Sequence, residues 1–185
     1  MSSQSRLWLV AALCLSAGAV LSCVSSAGAA KSTSAAARAC TADGLRMSVA
    51  HTYAEGGAAG GVITFTNVAH APCTLKGWPQ VVAIASSGRV VRAAAVQARQ
   101  VVGRSYPVTR HVLNDGASAG VAFAGEDGTG KGGQCRGAFR QFAVVPPDQT
   151  VGMVVRVSIR GYPDGLSACA RILASPTLSV LQATR

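Results

Sequence analysis

Two stretches of this chain alternate apolar and polar side chains with a period of two. Leu45, Met47, Val49, His51 and Tyr53 are interleaved with Arg46, Ser48, Ala50 and Thr52. Val151, Met153, Val155, Val157 and Ile159 are interleaved with Thr150, Gly152, Val154, Arg156 and Ser158. In an extended chain successive side chains point to opposite faces, so each stretch predicts a strand with one buried and one solvated face. Helical periodicity is nearly absent. Shorter strand candidates are Gly61–Asn67, Pro79–Ala85, Arg89–Ala95, Ser118–Ala124, Ala138–Val145 and Thr177–Gln182. Alanines in Val90–Val102 also suit a short helix there. Turn chemistry separates the candidates: Ser86-Ser87-Gly88, Asn114-Asp115-Gly116, Pro146-Pro147-Asp148 and Tyr162-Pro163-Asp164-Gly165. The expectation is an all-β domain, an antiparallel immunoglobulin-like β-sandwich of about eight strands. Phe65, Phe123, Phe139 and Phe142 are expected to fill it, and Trp78 is expected to be a core aromatic beside a disulfide, with an exposed ligand-stacking residue the alternative.

Cysteine spacing limits how the domain is closed. Six cysteines stand at 14, 23, 40, 73, 135 and 169. The first falls in an N-terminal segment expected to be removed, and the second is either lipidated or removed with it. The remaining four make an even set suited to an oxidising compartment. Four cysteines allow three connectivities, and sequential pairing, Cys40 with Cys73 and Cys135 with Cys169, is favoured because each bridge ties neighbouring strands. Closing loops of this size contributes roughly 3–4 kcal/mol each. CxxC and HxxxH spacings are absent and His51, His70 and His111 are scattered, so no metal is expected.

The N-terminus reads as an export signal. Arg6 supplies the charge of a short basic region, and Leu7–Leu21 runs apolar before small residues, too short to span about 30 Å of hydrocarbon. Two processing sites compete. Val20-Leu21-Ser22-Cys23 resembles a bacterial lipobox, making residues 1–22 the signal and Cys23 the lipid attachment site. Ala27-Gly28-Ala29 is an A-x-A site that would remove 1–29 and release an unanchored protein. Ser25–Ala37 reads as a flexible tether, which favours the lipid route. The organisation is then a signal, a tether over 23–39, and one domain over 40–185 at the outer face of the cytoplasmic membrane, with the lipid as its only membrane attachment.

Without Arg6, 16 basic residues face 7 acidic ones, a net charge of +9. The arginines are spread from Arg46 to Arg171 with no basic run carrying aromatics, so nucleic acid is not the expected partner. An anionic cell-wall, lipid or protein partner fits the charge.

Motifs for catalysis fail on inspection. Gly125–Lys131 matches part of a phosphate-binding loop, but Gly132 stands where a Mg²⁺-binding Ser or Thr belongs, and a glycine pair and Cys135 follow. No G-x-S-x-G elbow is present. Of the seven acids, six adjoin a glycine and Asp148 follows Pro147, as turn residues do. No catalytic residue and no cofactor is assigned.

The run Asn67-Val68-Ala69-His70-Ala71-Pro72-Cys73-Thr74-Leu75-Lys76-Gly77-Trp78-Pro79 resembles the N-x-(several)-C-x-L-x-G-x-P signature of an actinobacterial family catalogued as domain of unknown function 4232. Leu113–Ala119 is similar to that family's approach to a strand, and the likeness extends from Cys40 to about Leu181. The resemblance implies an exported or lipoprotein N-terminus, the β-sandwich and both disulfides; it implies no catalytic residues. Within the run, Gly77 and Pro79 fix a turn, Cys73 pins it, Leu75 points inward, and Asn67 is placed to cap the turn backbone. The leading expectation is a non-enzymatic envelope-binding module. A freely secreted inhibitor or effector comes second, and an uncharacterised hydrolase is the remote alternative. Binding is expected through loops, with Ala54–Gly60, Arg104–Gly116 and Gly125–Gly133 the candidates.

Overall fold

The alternating segments form strands. The computed structural model describes residues 37–55, 58–84, 95–126, 138–162, 165–167 and 171–179, all within one unit, Ala35–Arg185. The strands in chain order are β1 Arg38–Ala39, β2 Leu45–Glu55, β3 Ala58–Asn67, β4 Cys73–Lys76, β5 Gln80–Ile84, β6 Val96–Gln97, β7 Gln100–Val101 and β8 Arg104–Ser105. They continue with β9 Arg110–Leu113, β10 Ser118–Glu126, β11 Ala138–Phe139, β12 Gln141–Val145, β13 Met153–Arg156, β14 Leu166–Ser167, β15 Ile172–Ala174 and β16 Leu178–Ser179. Among the described residues the helical content is one 3₁₀ turn, Ala42–Gly44. The molecule is all-β, with several sheets.

The largest sheet has the order β2-β3-β10-β15-β6, with β16 also paired to β10. A three-stranded sheet runs β13-β12-β5, a second runs β1-β4-β9, and β11-β14 and β7-β8 form two-stranded pairs. The core joins the first two. Phe65 and Phe123 of the large sheet, Phe142 of β12 and Phe139 of β11 are all fully buried, as the sequence led us to expect. The Phe123 and Phe142 rings meet edge to face with centroids 5.1 Å apart, and Phe139 lies 5.3 Å from Phe142. Such ring pairs add about 0.5–1.5 kcal/mol beyond their burial.

Several expectations are corrected. Short strands outnumber the expected eight because continuous candidates change partners. Ala138–Val145 divides at Arg140: β11 pairs with β14, whereas β12 pairs with β5 and β13. The Val151–Ile159 strand is shorter than its alternation, because its ladder with β12 runs only from Gln141↔Arg156 to Val144↔Met153. Val157 and Ile159 keep the alternation and are buried, while Val151 precedes the ladder and lies in solvent. The described part of Val90–Val102 holds β6 and β7 in place of a helix; residues 90–94 lie outside the described residues, as does most of Arg89–Ala95. Trp78 is only half-buried, so it is not the core aromatic expected.

Cys40 and Cys73 form a disulfide across 33 residues of sequence, as sequential pairing requires. The chain prepares it: β1 runs parallel to β4 with Arg38 opposite Cys73, and the Cys40 N–H donates to the Thr74 carbonyl at 3.0 Å. Three of the four expected turns carry the closing hydrogen bond, and Ser86-Ser87-Gly88 lies outside the described residues. Ala117 N–H donates to Asn114 O, Gln149 N–H to Pro146 O and Gly165 N–H to Tyr162 O. No helix among the described residues is long and apolar enough to cross a membrane. Cys23, Cys135, Cys169, the leader and most of the tether lie outside the described residues.

Candidate functional site: a two-tyrosine pocket beneath a hairpin

The site begins with a register shift in β2. Ala50 pairs with Val62 and Tyr53 with Gly60, so His51 and Thr52 together oppose Gly61. This is a β-bulge, and His51 takes the left-handed conformation its extra residue requires (φ 49°). Beyond the bulge the faces exchange. Leu45, Met47 and Val49 keep the core face, but Tyr53 shares the outer face with its partner Gly60 and with Ala124. The single apolar face expected for Leu45–Tyr53 is therefore corrected after Val49: His51 is exposed and Tyr53 points away from the phenylalanine core.

Gly60 accommodates the redirected ring. A Cβ there would lie 2.3 Å from the Phe123 carbonyl oxygen and 2.5 Å from Tyr53 Oη. Any side chain would displace the phenol, so glycine is required for close approach.

A second apolar layer covers this outer face. Val101, Tyr106, Ala122, Ala124 and Leu178 form a small buried cluster with Ala98 and Leu173 against it. Val101 and Tyr106 come from the hairpin of β7 and β8, in which Gln100 pairs with Ser105 and Val101 with Arg104. Tyr106 N–H donates to Arg99 O at 2.7 Å and extends that ladder. The connection is the two residues Val102 and Gly103, both at positive φ (50° and 71°), as in a type I′ turn. Glycine suits that turn. Val102 does not, because a β-branched side chain is strongly disfavoured there.

Between hairpin and sheet lies a pocket of about 340 Å³, lined by His51, Tyr53, Glu55, Gly61, Val62, Val101, Val102, Arg104, Tyr106, Ala122 and Phe123. That volume falls in the range of small-molecule sites, which combine an apolar lining with a few placed polar groups. The Tyr53 hydroxyl is buried and has no hydrogen-bond partner among the described residues. Burial raises the Tyr53 pKa, the Tyr106 phenol raises it further, and the Arg104 guanidinium opposes both. The two phenols and the guanidinium line the same pocket. Neither Arg104 nor Glu55 forms an ion pair among the described residues. A more open depression of about 620 Å³ adjoins it and shares Tyr106.

Two of the three loops singled out from the sequence contribute: Glu55 comes from Ala54–Gly60, and Arg104 and Tyr106 from Arg104–Gly116. Most of Gly125–Gly133 lies outside the described residues. Tyr53 and Val102 lie outside those loops, and Tyr106 was not singled out within its loop. The available signal was Gly60-Gly61 inside a strand pattern, which marks a bulge or a close approach.

The segment from Asn67 to Pro79 forms a structural unit on another part of the domain. Asn67 is fully buried; its Nδ2 donates to Ala71 O at 2.8 Å and Leu113 O at 2.9 Å, and its Oδ1 accepts from Ala69 N–H at 2.9 Å. Asn67 therefore caps the turn as expected, and Leu75 points into the core. His70 Nδ1 lies 3.0 Å from Asp115 Oδ2 in an exposed ion pair that links this turn to Asn114–Gly116. The hydrogen bond and charge of Asp115 raise the His70 pKa. No group of three or more His, Cys, Asp and Glu that could hold a metal ion occurs among the described residues.

The model of the family described as Domain of unknown function (DUF4232) matches residues 40–177. The chain belongs to that family. The match opens on the disulfide cysteine Cys40, closes on the buried Thr177, and contains every residue that lines the pocket. Neither the curated proteins nor the solved structures hold a match to the chain.

Proposed function

We propose that this DUF4232 domain is a non-enzymatic binding module of the cell envelope, exported by its N-terminal signal and anchored by a lipid on Cys23. The pocket between the β7–β8 hairpin and the large sheet carries this reading. It joins an unpartnered buried hydroxyl and a guanidinium to an apolar floor, the combination that holds a small ligand. The Cys40–Cys73 disulfide is compatible with an oxidising compartment. We read the His70–Asp115 pair as a clasp between turns: His70 has no hydroxyl or thiol nucleophile hydrogen-bonded to it among the described residues.

The finer architecture belongs to the same proposal. The large sheet and the β13-β12-β5 sheet face each other as a sandwich, a reading supported by the Phe123–Phe142 contact between them. A second disulfide joins Cys135 and Cys169. Ala138 pairs with Ser167 in the antiparallel β11–β14 ladder. Cys135 stands three residues before Ala138 and Cys169 two after Ser167, so only a few residues separate each cysteine from that ladder.

An anionic surface or protein is the partner class that the charge favours. Lys76 and Arg110 are exposed and directly opposite each other on the β4–β9 ladder, a like-charge pairing that an anionic partner would relieve.

The anchor is tested by replacing Cys23→Ser and following detergent-phase partition of extracts and medium. The natural chain is expected in the detergent phase and the variant in the aqueous phase. Natural chain recovered from the medium would overturn the anchor and favour release at Ala27-Gly28-Ala29.

A further inference from the structure

The polar groups of the pocket define the chemistry of its ligand. The buried Tyr53 hydroxyl lacks a partner among the described residues, and an unmade hydrogen bond at a buried donor is costly. Arg104 lines the same pocket, is always charged, and presents a planar fork matched to a carboxylate. Val62, Val101 and Ala122 line the pocket too and offer contact to an apolar body. Glu55 also lines the pocket. Its carboxylate repels a second negative charge on the ligand, which favours a monoanion over a phosphate dianion or a dicarboxylate.

We infer that the pocket formed by Tyr53, Arg104 and Tyr106 beneath the β7–β8 hairpin binds small organic monocarboxylates with an apolar body. The carboxylate accepts from the Tyr53 hydroxyl and the Arg104 guanidinium, and the hydrocarbon lies on the valines and Ala122. Val102, at the tip of the hairpin, also lines the site. The inference rests on reading the domain as a binding module and assigns that module a ligand class.

Three tyrosines make a direct test: Tyr53 and Tyr106 line the pocket and Tyr162 does not. The processed full-length protein, carrying ring-¹³C tyrosine, is titrated with hexanoate and followed by NMR, with Tyr53→Phe assigning the signals. Hexanoate is expected to move the Tyr53 and Tyr106 signals and leave Tyr162 in place. Hexanamide, which keeps the shape and loses the charge, should bind at least about tenfold more weakly, as should inorganic phosphate. Arg104→Gln, at an exposed position, should weaken hexanoate by a similar factor while the Tyr162 signal reports an intact fold. Unmoved Tyr53 and Tyr106 signals at millimolar hexanoate would overturn the inference. Equal binding of hexanamide, tighter binding of phosphate, or undiminished binding by Arg104→Gln would each overturn it too. Any of these results on a protein still lipidated at Cys23 would remove the ligand class and leave the envelope-module reading standing.

Discussion

Asn67 makes three hydrogen bonds with a fully buried amide, two as donor to carbonyls of different segments and one as acceptor. Removing it strands those groups away from water. Asn67→Ala is expected to cost about 2–4 kcal/mol, read as a lower denaturation midpoint at unchanged slope. Its neighbour His70 is a different kind of contact. The His70–Asp115 pair lies in solvent, with side chains 86% and 54% exposed, so it is screened and contributes little. It still has a defined pH signature. The folded-state pKa of His70 is raised by Asp115, so the pair's contribution is complete below the unfolded-state pKa of histidine. It is lost as pH rises through the higher folded value. An NMR titration should place His70 above the ordinary histidine range, and Asp115→Asn should return it; an unchanged His70 titration in that variant would show that Asp115 is not the cause.

At the scale of elements, the β-bulge in β2 and the β7–β8 hairpin make the pocket. Alternation in Leu45–Val49 gave the correct core face, because one buried face sets the register of a strand. One inserted residue at His51 reversed the faces beyond it, and an alternation rule has no means of detecting an insertion except through the glycines opposite. The hairpin was illegible for another reason. Val102-Gly103 lacks the Asn or Asp that usually marks a type I′ turn, so its turn chemistry is hidden behind a valine. The turn at Asn114-Asp115-Gly116 has that chemistry and was readable. The strain at Val102 yields a prediction: Val102→Asn should stabilise the domain by about 1 kcal/mol, because asparagine tolerates positive φ. A thermal melt checks this, and a lowered midpoint would mean that the Val102 side chain contributes more to packing than its backbone costs.

For the molecule as a whole, the four phenylalanines of the core and the first disulfide were legible because burial and cysteine pairing leave direct marks in sequence. The pocket was not, because its tyrosines and Arg104 come from segments brought together only by the folding of one sheet's outer face under a hairpin. The family adds residues 40–177 as a unit and leaves the activity to be read from the site. On our proposal this unit works outside the cytoplasm as a tethered, disulfide-closed binding module. Intact mass of the protein from membrane and medium fractions tests it most directly. The expected result is a membrane species that begins at Cys23, carries acyl mass, and is lighter by two hydrogens for each of two disulfides. A lipid-free species that begins at Ala30, or one with all its cysteines reduced, would contradict it.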